Sequence, residues 1–321
     1  MLNIIQNRKT YFTISSILVA LSIASLLIWG LVPAIDFTGG TLMEIEFNTE
    51  PIPNIQEIRN LFIVNKDTQV SKEELGEVRV QPIGEKGMLF RFKPISEDTH
   101  QEILTLLHEN FNPDYPTTTA TTTPNVILPI EELKYESIGP VIGQELQKKT
   151  TWAIAMVAVC IILYIAWAFR KVSKPVQSWK YGIGAIVALG HDIIIVAGIF
   201  SVLGRFAGVE IDVLFVTALL TILGYSVNDT IVVYDRTREN LHRYQGFDFE
   251  DIVNRSVNET IVRSLNTSIT TLLVLFSVYL FGGASIRNFV LALICGAFVG
   301  TYSSIFIASP LLVVWQKLRR R

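Results

Sequence analysis

Six long apolar runs restrict this chain to a membrane-spanning helical fold. A helix needs about 20 mainly apolar residues to cross the hydrocarbon core, and residues 11–33, 151–169, 181–203, 211–234, 264–281 and 286–315 each meet that requirement. Half of all residues are hydrophobic and 17% are charged, against roughly 25% charged in soluble domains. The fifth run is the most polar. Ser264, Asn266, Thr267, Ser268, Thr270 and Thr271 crowd its beginning, ahead of a Leu-Leu-Val-Leu-Phe core. The first run is too long for a signal-peptide core and lacks a small-x-small cleavage site, so it is expected to stay as a helix.

Lysine and arginine in short loops set the orientation. Arg8 and Lys9 precede the first run; Arg170, Lys171, Lys174 and Lys180 follow the second; Arg236, Arg238, Arg243, Arg255 and Arg263 follow the fourth; Lys317, Arg319, Arg320 and Arg321 follow the sixth. Six crossings put all of these on one side, so both termini are expected in the cytoplasm. The expected organisation is a first span within 1–34, an external domain over 35–149, and a five-helix membrane region over 150–321 with a cytoplasmic loop at 235–263.

The inserted region reads as α+β. Residues 41–47 (TLMEIEF) alternate apolar and polar as a strand does. Residues 54–64 carry Ile55, Ile58, Leu61 and Phe62 at helical spacing. Residues 78–83 and 88–92 read as two strands across a turn at 84–87. Ser96 is expected to cap a helix reaching about residue 110, with Ile103, Leu104, Leu106 and Leu107 on its buried side. Residues 133–137 read as a last strand. The order βαββαβ is the ferredoxin-like arrangement, and a domain of about 100 residues can hold its own core. Residues 113–129, rich in Thr and Pro, read as an excursion from it. His100 and His108 have no cysteine or second ligand cluster beside them and are expected on a solvated helix face. Cys160 and Cys295 lie in apolar runs and read as small core residues, with no disulfide or metal spacing.

Ionisable residues inside spans are rare and mark function. His191 and Asp192 lie mid-way along the third run, Asn228 and Asp229 in the fourth, and Arg263 where the fifth begins. Thr217, Thr221, Gly224 and Asn228 recur at near-helical spacing and form a small polar stripe. Asp229 sits beside the stripe and is expected to face protein, with Arg263 as its cation. Two readings stay open. The arginine can release and recapture the carboxylate as ions pass, or the pair can be a permanent packing device. His191 and Asp192 are either part of the same proton-coupling set or hydrogen-bond a neighbouring helix. Ala292, Gly296 and Gly300 read as a close-packing face, as do Gly182 and Gly184. Residues 247–262, with Ile252, Val253, Val257 and Ile261 on one side, read as an interfacial amphipathic helix or as a connector. The net charge of −2 gives no reason to expect nucleic acid. No P-loop, nucleophile set or metal cluster points to an enzyme or a cofactor.

Five motifs in order resemble the SecD/SecF family of the RND superfamily: Asp36-Phe-Thr-Gly-Gly40, Ser137-Ile-Gly-Pro-Val-Ile-Gly143, Ala188-Leu-Gly-His-Asp192, Gly224-Tyr-Ser-Val-Asn-Asp-Thr230 continuing to Tyr234-Asp-Arg236-Thr-Arg-Glu-Asn240, and Arg263-Ser-Leu-Asn-Thr-Ser268. The resemblance covers essentially the whole chain. It implies an accessory role in late preprotein export across the bacterial inner membrane, driven by the proton motive force. The implied partners are SecD, the SecYEG channel with SecA and YajC, and an unfolded preprotein. It implies that Asp229 and Arg263 take part in proton conduction and that Gly39–Gly40 is a hinge. It also implies a functional unit of two pseudo-symmetric bundles. An RND-type exporter of a lipid or small molecule, and a stabiliser of SecD with no ion path of its own, are the competing readings. Sodium could serve in place of the proton.

Overall fold

The computed structural model describes residues 1–48, 52–64, 75–76, 78–84, 86–111, 130–168 and 177–320. The 113–129 stretch, Phe169, and the basic residues Arg170, Lys171, Lys174 and Arg321 lie outside the described residues. The chain divides into two compact units: Met1–Val32 with Lys149–Arg321, and Pro33–Lys148.

Among the described residues six helices are long and apolar enough to cross a membrane. They are α1 (Arg8–Ile28), α5 (Pro140–Ala168), α6 (Ser178–Ala207), α7 (Val213–Arg243), α8 (Phe249–Phe281), and a last span made of α9 (Ala284–Ser303), a π-turn (Ser304–Ala308) and α10 (Ser309–Arg320). α6, α7 and the last span are the inner helices, while α1, α5 and α8 are mostly exposed in the single chain. α9 packs on α6, α7 and α8, and α1 packs on α6.

Small residues allow the closest approaches. A side chain at Gly296 would meet Ile222 at 2.2 Å and one at Gly300 would meet Ser226 at 2.8 Å, so the Ala292-Gly296-Gly300 face seats α9 directly on α7. Gly184 approaches the Tyr234 hydroxyl in the same way, whereas Gly182 has room around it. The π-turn lies just ahead of Pro310, which has no N–H to donate and whose ring crowds the preceding turn.

The first span ends at Ile28 rather than at residue 33, because Gly30 takes a left-handed φ of 69° and turns the chain. The fourth and fifth spans run past their apolar stretches. Their polar ends pack on protein, which stabilises the extra turns. The apolar side of residues 247–262 is covered too. Phe249, Val253 and Val257 share a core with Ile4 and Ile5. The Asn254 side chain accepts from the backbone of Ile4 and Ile5 and donates to Leu2 O. Glu250 bridges Arg8 (2.5 Å) and Lys317. This stretch thus connects the fourth and fifth spans with its apolar side packed on the N-terminal residues. Cys160 is exposed on α5 and Cys295 is half-buried, so the expectation of two core cysteines does not hold for Cys160.

The second unit holds α2 (Ile35–Thr38), β1 (Gly40–Phe47), α3 (Ile55–Val64), β2 (Arg79–Ile83), β3 (Gly87–Phe92), α4 (Glu97–Phe111) and β4 (Ile130–Ile138). The strands pair antiparallel in the order β2-β3-β1-β4, the ferredoxin-like order. Alternation puts Met43, Ile45 and Phe47 on the face that meets Ile58 of α3 and Ile103 and Leu107 of α4. Leu104 is only partly buried. His100 occupies the buried side in its place, 4% exposed, with Nδ1 3.1 Å from Glu97 and Nε2 2.8 Å from Glu132. Its ring stacks on Tyr135 at 3.7 Å. The expected solvated face is wrong for His100, because two carboxylates and an aromatic ring replace water around it. His108 is half-buried rather than solvated.

Candidate functional site

Two polar clusters of the membrane unit draw on α7, one at Asp229 and one that joins it to Asp192 of α6. In the first, Asp229 is 5% exposed and Ser264 of α8 is 1% exposed. The two side chains face each other across α7 and α8, yet Asp229 Oδ2 and Ser264 Oγ each lack a hydrogen bond of ordinary geometry among the described residues. Arg263 is exposed. It is close enough to act electrostatically on the carboxylate, but no ion pair joins Arg263 to Asp229 among the described residues. Asn228 is also exposed, so each outward polar residue sits one position before an inward one.

The stripe of Thr217, Thr221, Gly224 and Asn228 is exposed along its whole length. Its threonines are not unsatisfied: Thr217 and Thr221 donate to the carbonyls four residues back at 3.0 and 2.8 Å. Thr267 and Thr270 on α8 do the same. The face is polar enough to suit a protein neighbour and self-contained enough to survive without one.

The second cluster centres on Asp192, which is fully buried. Ser226 of α7 donates to it at 2.5 Å and Ser303 of α9 at 2.9 Å, and His191 Nδ1 lies 3.0 Å away. The carboxylate thus ties together α6, α7 and α9. Ser304, at the start of the π-turn, donates to Ser226 O and pairs with Thr230 at 2.8 Å. The α7 turn that carries Asp229 is therefore held from behind by the Asp192 cluster. His191 Nε2 has no hydrogen-bond partner among the described residues. Ser226, Thr230 and Ser264 lie inside the motifs quoted above but carry no role of their own there. The one sequence signal of Ser303 and Ser304 is a hydroxyl inside an apolar run, and such residues often serve only their own helix.

Asp36 lies in the first turn of α2. Gly39 and Gly40 have φ of 73° and 140°, which side chains avoid. A side chain on Gly39 would stand 2.8 Å from Pro140, and one on Gly143 would stand 3.0 Å from the Gly39 nitrogen. The glycines thus let the stretch before β1 cross the start of α5 backbone to backbone. Among the described residues no group of histidine, cysteine, aspartate and glutamate is placed to hold a metal.

The model for protein export membrane protein SecD/SecF, C-terminal, matches residues 118–318, and the model for the SecD/SecF GG motif matches residues 24–50. The chain belongs to the SecD/SecF family. Protein translocase subunit SecF of Thermobaculum terrenum is 41% identical, with 98% of this chain and 94% of that protein covered. The subunit of the same name from Anaerolinea thermophila is 37% identical at the same coverage. The crystal structure of SecDF, a translocon-associated membrane protein from Thermus thermophilus, superposes with a TM-score of 0.79 at 31% identity. That superposition covers 98% of this chain and 39% of the SecDF chain. SecD/SecF membership and the helices together make this a multi-pass membrane protein, and the GG-motif match includes Gly39 and Gly40.

Proposed function

We propose that this chain works in the Sec preprotein translocase as the smaller half of a SecD–SecF pair, converting proton movement through the Asp229 cluster into late-stage export. It is an accessory subunit of that translocase, a reading supported by relatives named as translocase subunits over nearly their full length. The SecDF relative, in which one chain bears both names, supports association with SecD. The exposed stripe on α7, together with Arg263 and Asn228, is the face proposed to meet that partner. SecYEG, SecA, YajC and the preprotein are the further partners, in the bacterial inner membrane with both termini cytoplasmic.

One observation carries the mechanism. Asp229 is buried inside a span with one carboxylate oxygen lacking a hydrogen bond among the described residues, near a cation, Arg263, that forms no ion pair with it there. A carboxylate so placed gains or loses a proton when its neighbour moves. One charge crossing the membrane potential releases about 2.3 kcal/mol per 100 mV, enough to bias a two-state element. His191 and Asp192 join this path through Ser226. The Gly39–Gly40 crossing is the joint through which the inserted domain moves.

The test is preprotein export into vesicles holding this chain with SecD, comparing wild type with Asp229→Asn, each with and without an uncoupler. Wild-type stimulation is expected to vanish with the uncoupler and the variant to show none. A variant that assembles and stimulates like wild type makes Asp229 a packing residue and leaves SecD stabilisation as the function.

A further inference from the structure

The first residues of the chain are held by their backbone on the N-terminal arm of α8. Asn254 Oδ1 accepts from Ile4 N at 3.0 Å and from Ile5 N at 3.2 Å, and the Asn254 amide donates to Leu2 O at 3.0 Å. One turn on, Asn258 accepts from Leu2 N at 2.7 Å and donates to Leu2 O at 2.9 Å. The two amides stand four residues apart and so share one helix face. Ile4 and Ile5 are 3% and 0% exposed and pack in one core with Phe249, Val253 and Val257 of the same arm. Arg8, the first residue of α1, donates to Ile5 O at 2.8 Å and pairs with Glu250 at 2.5 Å, and Glu250 also pairs with Lys317 of α10.

Terminal residues are poorly ordered unless something ties them down, and burial of two isoleucines would suffice for that. The amides add direction and register. Asn258 meets both the N–H and the C=O of Leu2, so the segment cannot slide along α8 without losing both bonds.

The two elements that the segment joins have different jobs. α8 is one helix from Phe249 to Phe281. Arg263 lies nine positions beyond Asn254, about 14 Å along the axis, so a shift at Arg263 reaches Asn254 through stiff helix. On the other side the segment runs straight into α1. That helix packs on α6 and the π-turn. It ends at Ile28, and the second unit begins at Pro33. Its closest contact with α6 is backbone to backbone. Ser25 donates to Gly198 O at 3.2 Å, Ser201 donates to Ser25 O at 2.9 Å, and a side chain on Gly198 would meet Ser22 at 2.4 Å. A tight contact near one end of a helix and a grip at its other end make a lever with a fulcrum.

We propose that residues 2–5 with Asn254 and Asn258 form a clasp that carries movement of α8 into α1, which turns about the Ser22–Gly198 contact and moves the stretch leading to the inserted domain. Coupling of this kind travels through hydrogen bonds and rigid elements in contact. The inference rests on the proton-driven reading above and adds to it the part that transmits the movement. Asn254 and Asn258 are positioning residues, and neither takes part in ion passage.

The test uses the full chain assembled with SecD in vesicles, with Cys160 and Cys295 replaced by serine, and reads preprotein export and proton flux together. Asn254→Leu with Asn258→Leu removes the amides at similar volume. It is expected to lower proton-driven export about tenfold, while the proton flux that Asp229→Asn abolishes stays at the wild-type level. In a chain carrying Leu2→Cys, Asn254→Leu and Asn258→Cys, a short bis-thiosulfonate linker is expected to restore export, and a reductant to remove it again. Wild-type export from the double variant overturns the clasp. So does loss of flux together with export, which makes the amides packing residues, and so does export that linking does not change. Should the double variant fail to assemble, Leu2→Cys with Asn258→Cys and Asn254 in place gives the same comparison before and after linking, and export unchanged by the linker overturns the clasp there too. An inactive Asp229→Asn beside a fully active clasp variant sinks only the clasp. A fully active Asp229→Asn, with linking still controlling export, sinks only the earlier reading.

Discussion

His100 in the inserted domain and His191 in the membrane unit begin alike. Both are buried, and each has Nδ1 about one hydrogen bond from a carboxylate, 3.1 Å from Glu97 in one case and 3.0 Å from Asp192 in the other. They differ at Nε2. His100 meets a second carboxylate, Glu132, at 2.8 Å and is covered by Tyr135. His191 Nε2 is buried and has no hydrogen-bond partner among the described residues. A buried imidazole answered at both nitrogens joins a helix to a sheet and is held at both ends. One answered at a single nitrogen is held in orientation with its other end unbonded among the described residues. The same residue type is structural in one unit and a candidate relay in the other, and the number of answered nitrogens separates the roles.

The comparison breaks or sharpens under four substitutions. The largest expected effect is at Asp192, where Ala leaves the Ser226, Ser303 and His191 donors without their shared acceptor. A loss of about 3 kcal/mol is expected, read as a fall in the thermal unfolding midpoint of the purified protein in detergent. His100→Leu comes next, at about 2 kcal/mol. It strands Glu132 and removes the Tyr135 stack, and hydrogen exchange should report it as faster opening of α4 and β4 with the membrane helices unchanged. If export falls while that exchange stays at wild-type rates, His100 is not the structural member of the pair.

His191→Gln is expected to cost about 1 kcal/mol or less, because only the Asp192 contact is lost. An unfolding midpoint depressed as far as that of Asp192→Ala would make His191 structural as well. The smallest effect belongs to His108, whose half-burial pushes its imidazole below the ordinary histidine value. The unfolded chain then binds the proton more readily. The His108 contribution to stability is full above about pH 6.5 and is lost as pH falls below that value. His108→Gln should flatten the acid side of the domain's stability profile slightly. A profile identical to wild type assigns the acid loss to other groups.

Much of the fold is legible in the sequence because its signals are local. A run of 20 apolar residues has few fates, and the alternation at Thr41, Met43, Ile45 and Phe47 against Leu42, Glu44 and Glu46 fits only a strand with one buried face. The Gly296-x-x-x-Gly300 spacing marks a close approach without naming the helix approached. Helix ends are less legible. α7 and α8 run beyond their apolar stretches because Asn240, Asn254 and Ser256 find partners on neighbouring chain segments. Composition cannot show that a polar side chain will be answered from a distance. The site was legible in its charged members, since Asp192, Asp229 and Arg263 are conspicuous in apolar surroundings. Its serines were not.

The sequence by itself determined that this chain spans a membrane, carries an α+β insertion and keeps ionisable groups within its spans, because burial of apolar area and strand or helix periodicity act over a few neighbouring residues. The tertiary structure alone decided which of those groups meet. Asp192 collects donors from residues 34 and 111 positions away, Asp229 faces Ser264 with no ion pair to Arg263 among the described residues, and His191 is bonded at one nitrogen while His100 is held at both. Hydrogen bonds and cavities depend on distances of a few ångströms between segments far apart in the chain, and those distances exist only once the helices have packed.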